Sequence, residues 1–173
     1  IDYNQRNYES ASAHLNKVLE YPNNKYSEEA MMMSAEMAYL AKDYAKSLEL
    51  YKLLKDRAST PERRAMAATG MLRSAAMAGN DEEVILAATA VLTDTKVAPE
   101  LENEARYYRA QSLVKVNQMA HAVADWQSLA QDTRNAYGAE AKYQLAQYLF
   151  DTGKTVDAEK EVLNYLEVST PHT

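Results

Sequence analysis

The sequence predicts an all-α protein made of stacked helical hairpins, and composition is the first reason. Alanine occurs 29 times and leucine 17 times among 173 residues, whereas valine occurs ten times, isoleucine twice and glycine four times. Alanine and leucine favour helices, and the β-branched residues that favour strands are scarce. No run of valine and isoleucine reaches the length of a strand, which excludes an all-β fold and argues against a doubly wound α/β fold.

An internal repeat with a period near 37 residues is the second reason. The pattern Glu-Ala-x-(Met or Tyr)-x-x-Ala begins at Glu29, Glu104 and Glu140, and a weaker copy surrounds Ala67. The alanines that open the four copies lie at positions 30, 67, 105 and 141, so the periods are 37, 38 and 36. A period of this length is typical of proteins in which each repeat is one helical hairpin.

Each copy continues into a second helix with its own small and large positions. Twelve residues after the last alanine of the pattern lies a small residue, with larger residues four and seven positions beyond it. These positions are Ser47, Tyr51 and Leu54; Ala122, Trp126 and Leu129; Ala158, Val162 and Tyr165; and, in the weaker copy, Val84, Ala88 and Val91 after Leu72. We expect the small residues to allow close helix contact and stacked hairpins to bury the larger ones, Trp126 among them.

Turn and capping residues place the helix boundaries. Thr60 before Pro61 is typical of a helix N-cap, and Asn80 with Glu83 resembles a capping box. Tight turns within the hairpins are expected at Lys42-Asp43, Gly79-Asn80-Asp81, Asn117-Gln118 and Gly153-Lys154. The helices predicted from these signals cover residues 5–20, 26–41, 44–57, 61–78, 81–94, 99–116, 118–132, 136–151 and 154–168.

These helices define four full repeats and one half repeat, which we expect to form a single domain. The half repeat covers residues 1–24, and the full repeats cover residues 25–60, 61–97, 98–134 and 135–170. At the ends, Ala11, Leu15 and Val18 match a second helix without a first, and Ala158, Val162 and Tyr165 belong to a second helix without a polar capping helix after it. The exposure of Leu15, Val18, Val162 and Leu166 tests this reading. Since terminal repeats normally carry a polar outer face, we expect the chain to be a fragment of a longer repeat protein. In isolation, its ends should be covered by end-to-end contact with another copy or by a shift of the first helix.

The turns and second helices of two repeats resemble the tetratricopeptide repeat family. The segments Asp43–Tyr51 and Gly153–Ala158 are similar to that region of the family, and the resemblance extends over nearly the whole chain. It implies a right-handed superhelical solenoid. Residues 20–30 are also similar in spacing to bacterial envelope proteins, the outer-membrane-assembly lipoproteins and the Tol–Pal coordinator, which favours a periplasmic or outer-membrane-associated location. The family's aromatic slot instead holds Met31, Ala68, Arg106 and Lys142.

The sequence motifs give no support for catalysis. The chain has no cysteine, and its three histidines, His14, His121 and His172, are far apart in sequence. No phosphate-binding glycine loop, His-Glu-x-x-His zinc motif or nucleophile elbow occurs. We therefore expect a protein without enzymatic activity, cofactor or metal.

Charge and hydropathy narrow the range of partners. The net charge is −6, with 25 acidic and 19 basic residues, and no basic cluster is large enough for a nucleic-acid backbone. No apolar run approaches the roughly 20 residues that a membrane helix needs. We expect neither nucleic-acid binding nor direct membrane insertion.

The resemblance places a binding groove on the concave face, which the first helices line in this family. The positions carried over in register are Met32, Glu36 and Tyr39; Thr69, Arg73 and Met77; Tyr107, Gln111 and Lys115; and Tyr143, Gln147 and Phe150. Such side chains suit a peptide, because aromatic rings supply buried area at low entropy cost while amides and charges fix its register. Tyr107 and Tyr143 have an alternative role, which is to pack between adjacent first helices.

Two classes of function follow from this reading. The first is a scaffold that binds a protein or peptide segment in the groove, within a bacterial cell-envelope complex if the second resemblance applies. The second is a structural or assembly module that packs on the rest of its own chain or on a second copy. A minor alternative is a regulatory repeat domain of a larger enzyme.

Overall fold

The structure, a computed structural model, is all-α. It describes residues 13–18, 20–21, 26–93, 97–132 and 134–169, with the backbone alone at residues 155 and 164–169. No strand occurs in these ranges, which confirms the all-α part of the predicted fold class. The helices are α1 (residues 13–18), α2 (Ser27–Leu40), α3 (Tyr44–Arg57), α4 (Pro61–Ala78), α5 (Asp81–Leu92), α6 (Pro99–Lys115), α7 (Met119–Leu129), α8 (Ala136–Asp151) and α9 (Thr155–Ser169).

The chain divides into two compact units, unit 1 (Ile1–Asp94) and unit 2 (Thr95–Thr173). In unit 1, α3 packs against α2 and α4, and α4 also packs against α2 and α5. In unit 2, α7 packs against α6 and α8, and α8 also packs against α6 and α9. Each unit therefore contains the same arrangement, in which a pair of consecutive helices is covered by the helix that follows it.

One type of turn ends the first helix of every pair. A residue in the left-handed region follows each helix, with φ of 63° at Lys42, 69° at Gly79, 62° at Asn117 and 77° at Gly153. Its amide donates to the carbonyl three residues earlier, and the next amide donates to the carbonyl five residues before it. This is the Schellman motif, which satisfies the last carbonyls of a helix. The turns recur at intervals of 37, 38 and 36 residues, the intervals of the sequence repeat.

Side chains cap the two helix starts for which the sequence predicted a capping residue, with one difference from expectation. Thr60 Oγ1 accepts the amide of Arg63 at 3.2 Å, and Asn80 Oδ1 accepts the amide of Glu83 at 3.3 Å. The expected capping box is only half formed, because the Glu83 carboxylate accepts a hydrogen bond from Lys52 Nζ at 2.7 Å instead. That ion pair links α3 to α5 within unit 1.

The small residues predicted at the contacts between helices are buried in the core. Ala35, Ala110 and Ser47 have no exposed surface. Ser47 Oγ donates to the Ala35 carbonyl at 2.9 Å, and Ser74 Oγ lies 2.9 Å from Ser47 Oγ. Because Ser47 has only one hydroxyl proton, Ser74 is the donor in the second bond. A pair of buried serines thus joins α2, α3 and α4.

The buried positions confirm the register predicted for the weaker copy of the repeat. Leu72 of α4 is fully buried, and Val84, Ala88 and Val91 of α5 are each at most 4% exposed. In unit 2, Trp126 is 5% exposed, which confirms its predicted burial.

The predicted apolar positions near the two ends differ in exposure. Leu15 and Val18 of α1 are half-buried, whereas Val162 of α9 is 45% exposed. The predictions for Ala11 and for the side chains of Tyr165 and Leu166 fall outside the described residues.

Candidate functional site

A cleft of about 430 Å³ opens between α2 and α4 in unit 1. Each wall consists of residues three or four positions apart, because that spacing places side chains on one side of a helix. The lining residues are Met32, Glu36, Tyr39 and Leu40 of α2, Tyr51 of α3, and Met66, Thr69, Gly70 and Arg73 of α4. The structure therefore brings together the groove residues predicted for the first repeat and, from the second, Thr69 and Arg73. We call this site the α2–α4 cleft.

Tyr51 forms the floor of the α2–α4 cleft and is only 8% exposed. Its ring lies directly against the backbone of Gly70, where an added Cβ would come within 2.4 Å of the ring. Any side chain at this position would therefore displace the ring. The neighbouring Thr69 hydroxyl is already used within its own helix, since it donates to the Ala65 carbonyl at 3.0 Å.

The two walls of the α2–α4 cleft carry opposite charges. Glu36 lies on α2 and Arg73 on α4, and both side chains are exposed. Burial is the main cause that raises the pKa of the Tyr51 hydroxyl to about 12, and the charge of Glu36 raises it further while that of Arg73 opposes the shift. The floor therefore stays neutral at physiological pH between a carboxylate and a guanidinium group.

The rim of the α2–α4 cleft is largely apolar. Leu40 is 64% exposed and Met66 is 51% exposed, so both present apolar surface to solvent. Tyr39 is held in place by Tyr44, whose ring meets it edge-on with 5.3 Å between the ring centroids. Rigid rings and adaptable methionines on the same rim are typical of surfaces that accept peptide side chains.

A second groove of about 420 Å³ lies between α8 and α9 in unit 2, and we call it the α8–α9 groove. Its lining residues are Tyr143, Ala146, Gln147 and Phe150 of α8 and Ala158, Glu159, Val162 and Leu163 of α9. It contains the three groove residues predicted for the last repeat. Tyr143 is 58% exposed, which does not fit the alternative role of packing between first helices.

The remaining predicted groove residues line neither of these two sites. Tyr107 of α6 is half-buried, and its ring centroid lies 4.9 Å from that of Tyr137 on α8, which is the packing role. Gln111 and Lys115 are exposed further along α6, and Met77 is 52% exposed near the end of α4.

A buried charged network in unit 2 is absent from the sequence-based predictions. Asp125 of α7 is 2% exposed and accepts hydrogen bonds at 2.7 Å from both Nε and Nη2 of Arg109. Arg106 Nη1 donates to the same carboxylate at 3.3 Å, and Arg106 Nη2 donates to Glu102 at 2.9 Å. The sequence signal that could have indicated this network is Arg106, a charged residue at a position where the repeats that the sequence resembles carry an aromatic ring.

Comparison of the sequence with protein-family models and with curated proteins gives no match. Among the described residues, no group of three or more histidine, aspartate or glutamate side chains is placed to hold a metal ion. Nor does any helix in the described part of the chain have the length and apolar character needed to cross a membrane.

Proposed function

We propose that the chain is a non-enzymatic scaffold of the tetratricopeptide type that binds a peptide segment of a partner protein in the α2–α4 cleft. We also propose that its helical hairpins follow one another in a right-handed superhelix. The observation that carries the proposal is the lining of the cleft. Residues that the resemblance assigns to a binding groove, from two consecutive first helices, face one open site.

An apolar side chain of the peptide fits over the floor of the cleft. Tyr51 and the bare backbone at Gly70 offer a flat surface there, and Met32 and Met66 stand on either side of it. Methionine side chains adapt to different shapes, so the same floor accepts leucine, methionine or phenylalanine. Burial of one such side chain contributes about 1.5–3 kcal/mol to binding, and contacts of the rest of the segment must supply the remainder.

The charged walls then set the direction of the bound peptide. The Glu36 carboxylate accepts hydrogen bonds from backbone amides or a basic side chain, and the Arg73 guanidinium donates to carbonyl or carboxylate oxygens. Because these groups stand on opposite walls, a peptide that enters in the reverse direction presents the wrong group to each.

The open α8–α9 groove favours a second candidate function, an assembly module. Phe150 and Leu163 are 63% and 53% exposed there, next to the equally open Tyr143. Apolar exposure of this kind marks surfaces that contact other proteins.

A peptide selected from a random display library on the wild-type protein tests the first function. We expect Met66→Glu to weaken binding of that peptide at least about tenfold, because it places a charge on the apolar rim. Met66 is half-exposed, so the change does not disturb the core.

Leu86→Glu is the matched control, since Leu86 lies on α5 of the same unit, is 62% exposed and is not part of the cleft. It makes the same apolar-to-acidic change and should leave the affinity within about twofold. If both variants lose affinity equally, or if neither substitution changes the affinity, the peptide binds elsewhere.

A further inference from the structure

We propose that the hydroxyl group of Tyr51, at the floor of the α2–α4 cleft, donates a hydrogen bond to a backbone carbonyl oxygen of the bound peptide. Gly70 is the positioning residue that lets this hydroxyl reach the cleft. The inference rests on the proposed function, because it names the ligand atom that the same site recognises. It gives Tyr51 a polar role in addition to the flat apolar surface of its ring.

The Tyr51 hydroxyl is a polar group without a partner inside the protein. Tyr51 is only 8% exposed, yet no hydrogen bond joins its hydroxyl to another described residue. In the described part of the chain, a single side-chain oxygen or nitrogen is both sealed from solvent and unpartnered, and that atom is Ser34 Oγ. The Tyr51 hydroxyl therefore keeps contact with solvent although most of the residue is buried. This contact leaves its proton available to a ligand.

The hydroxyl faces the α2–α4 cleft. The charged and polar groups that act on its pKa are Glu36, Arg73 and Tyr39, and all three line the cleft. Tyr51 itself lines the cleft from α3. The solvent contact of the hydroxyl therefore lies within the cleft, where a bound peptide would take the place of solvent.

Gly70 allows the ring of Tyr51 to extend this far. An added Cβ at residue 70 would overlap the hydroxyl end of the ring, with Cζ as the nearest atom. Glycine in the middle of an 18-residue helix is less favourable than alanine, so its presence in α4 calls for a reason. The residues at the equivalent position of the other first helices all have side chains: Met33, Tyr108 and Gln144.

The equivalent contact in unit 2 shows that burial of a ring does not by itself require this glycine. Trp126 of α7 is 5% exposed, and α8, which packs on α7, carries Gln144 at the position equivalent to Gly70. A large ring of a second helix is thus buried beneath a helix that has a side chain at this position. We therefore attribute Gly70 to the place that the tip of Tyr51 reaches.

The charges around the hydroxyl favour a neutral acceptor. Burial is the main cause that raises the pKa of Tyr51 to about 12, so the hydroxyl stays protonated and donates at physiological pH. Among the charges, that of Glu36 acts on it more strongly than that of Arg73. A ligand carboxylate beside the hydroxyl would be repelled by Glu36, whereas a neutral carbonyl oxygen would not. A peptide backbone supplies such an oxygen at every residue.

Tyr51→Phe tests the proposal, because it removes the hydroxyl and keeps the ring against Gly70. The probe is the display-selected peptide, and its affinity is measured at neutral pH. We expect Tyr51→Phe to weaken binding about three- to tenfold, which corresponds to the loss of one neutral hydrogen bond. Tyr44→Phe is the matched control, since Tyr44 lies on the same helix and does not line the cleft. It should leave the affinity within about twofold.

Ester analogues of the same peptide identify the acceptor. Replacement of one amide by an ester weakens the carbonyl oxygen of that linkage as an acceptor. At one position we expect the ester to lower the affinity for the wild type but to lower it much less for Tyr51→Phe, where the hydrogen bond is already absent. A purely structural effect of Tyr51→Phe would instead reduce the affinity of every analogue by the same factor.

Unchanged affinity in Tyr51→Phe, together with the expected loss in Met66→Glu, would overturn this inference and leave the α2–α4 cleft as the binding site. Equal weakening by Tyr51→Phe and Tyr44→Phe would also overturn it. So would an ester effect that is the same in wild type and Tyr51→Phe at every position. If Met66→Glu also leaves the affinity unchanged, the proposed function itself fails.

Discussion

Lys42 occupies the position of the repeated turn that requires a positive φ. Its φ of 63° lies in the left-handed region, where two of the four equivalent turns carry glycine. A residue with a Cβ destabilises the folded state by about 1 kcal/mol in this region, whereas glycine does not. We expect Lys42→Gly to raise the free energy of unfolding by about 0.5–1 kcal/mol, measured by urea denaturation.

The control for this change is Ala124→Gly, at an exposed position in the middle of α7. It should lower the free energy of unfolding by about 1 kcal/mol, because glycine is a poor residue in a helix interior. A loss of stability in both variants would mean that Lys42 stabilises the turn through its side chain.

Tyr51 predicts how stability depends on pH. Burial raises its pKa in the folded protein to about 12, from 10.0. The folded state thus favours the neutral form of Tyr51. The stability that the neutral hydroxyl preserves is fully present below pH 10 and is lost as the pH rises from 10 to 12. In that window Tyr51 should remove about 1.4 kcal/mol of stability per pH unit.

Tyr51→Phe isolates this effect, because phenylalanine keeps the ring against Gly70 and cannot ionise. The difference in unfolding free energy between wild type and variant should change in favour of the variant between pH 10 and 12, and should be constant below pH 9. If the unfolding free energies of the wild type and the variant differ by a constant amount throughout the alkaline range, Tyr51 ionises as freely in the folded as in the unfolded chain.

At the scale of helices, sequence reasoning located the elements well. The starts and ends of α2 to α9 were predicted to within three residues of those in the structure. The signals used were the repeated alanines, Thr60-Pro61 and the four turn sites. The reason is that these signals are local: a cap or a left-handed turn depends on a few neighbouring residues.

The contacts between helices were harder to predict, because they depend on residues far apart in sequence. The Asp125 network and the pairing of Tyr107 with Tyr137 both join side chains on different helices. The same limit applies to the candidate site. The register of the sequence repeat predicted the wall residues Met32 and Glu36. It did not predict the floor that Tyr51 and Gly70 form together.

The Asp125 network gives a prediction at this scale. Asp125→Ala leaves two arginines without their buried partner, and breaking such a pair costs about 3–5 kcal/mol. The guanidinium groups of Arg106 and Arg109 keep part of their contact with water, with side chains 25% and 21% exposed, so we expect a loss near the lower end, about 3 kcal/mol.

Asp132→Ala is the comparison, since Asp132 pairs with Arg134 on the surface. Exposed ion pairs contribute little, so the urea midpoint should hardly move. A similar result for Asp125→Ala would contradict the view that the network holds α6 and α7 together.

At the scale of the whole molecule, equivalent positions of the repeat line a site in each unit. In unit 1 the chain supplies three helices around the α2–α4 cleft, and in unit 2 two helices line the α8–α9 groove. The central claim is that the α2–α4 cleft binds a peptide.

Methionine methyl NMR tests this claim most directly, because the chain has eight methionines and two of them line the cleft. On addition of a display-selected peptide to the protein labelled at its methionine methyl groups, the signals of Met32 and Met66 should shift saturably. Met33 of α2 and Met119 of α7 lie outside the cleft, and their signals should stay in place. Saturable shifts at Met119 or Met33 with Met32 and Met66 unchanged would contradict the account.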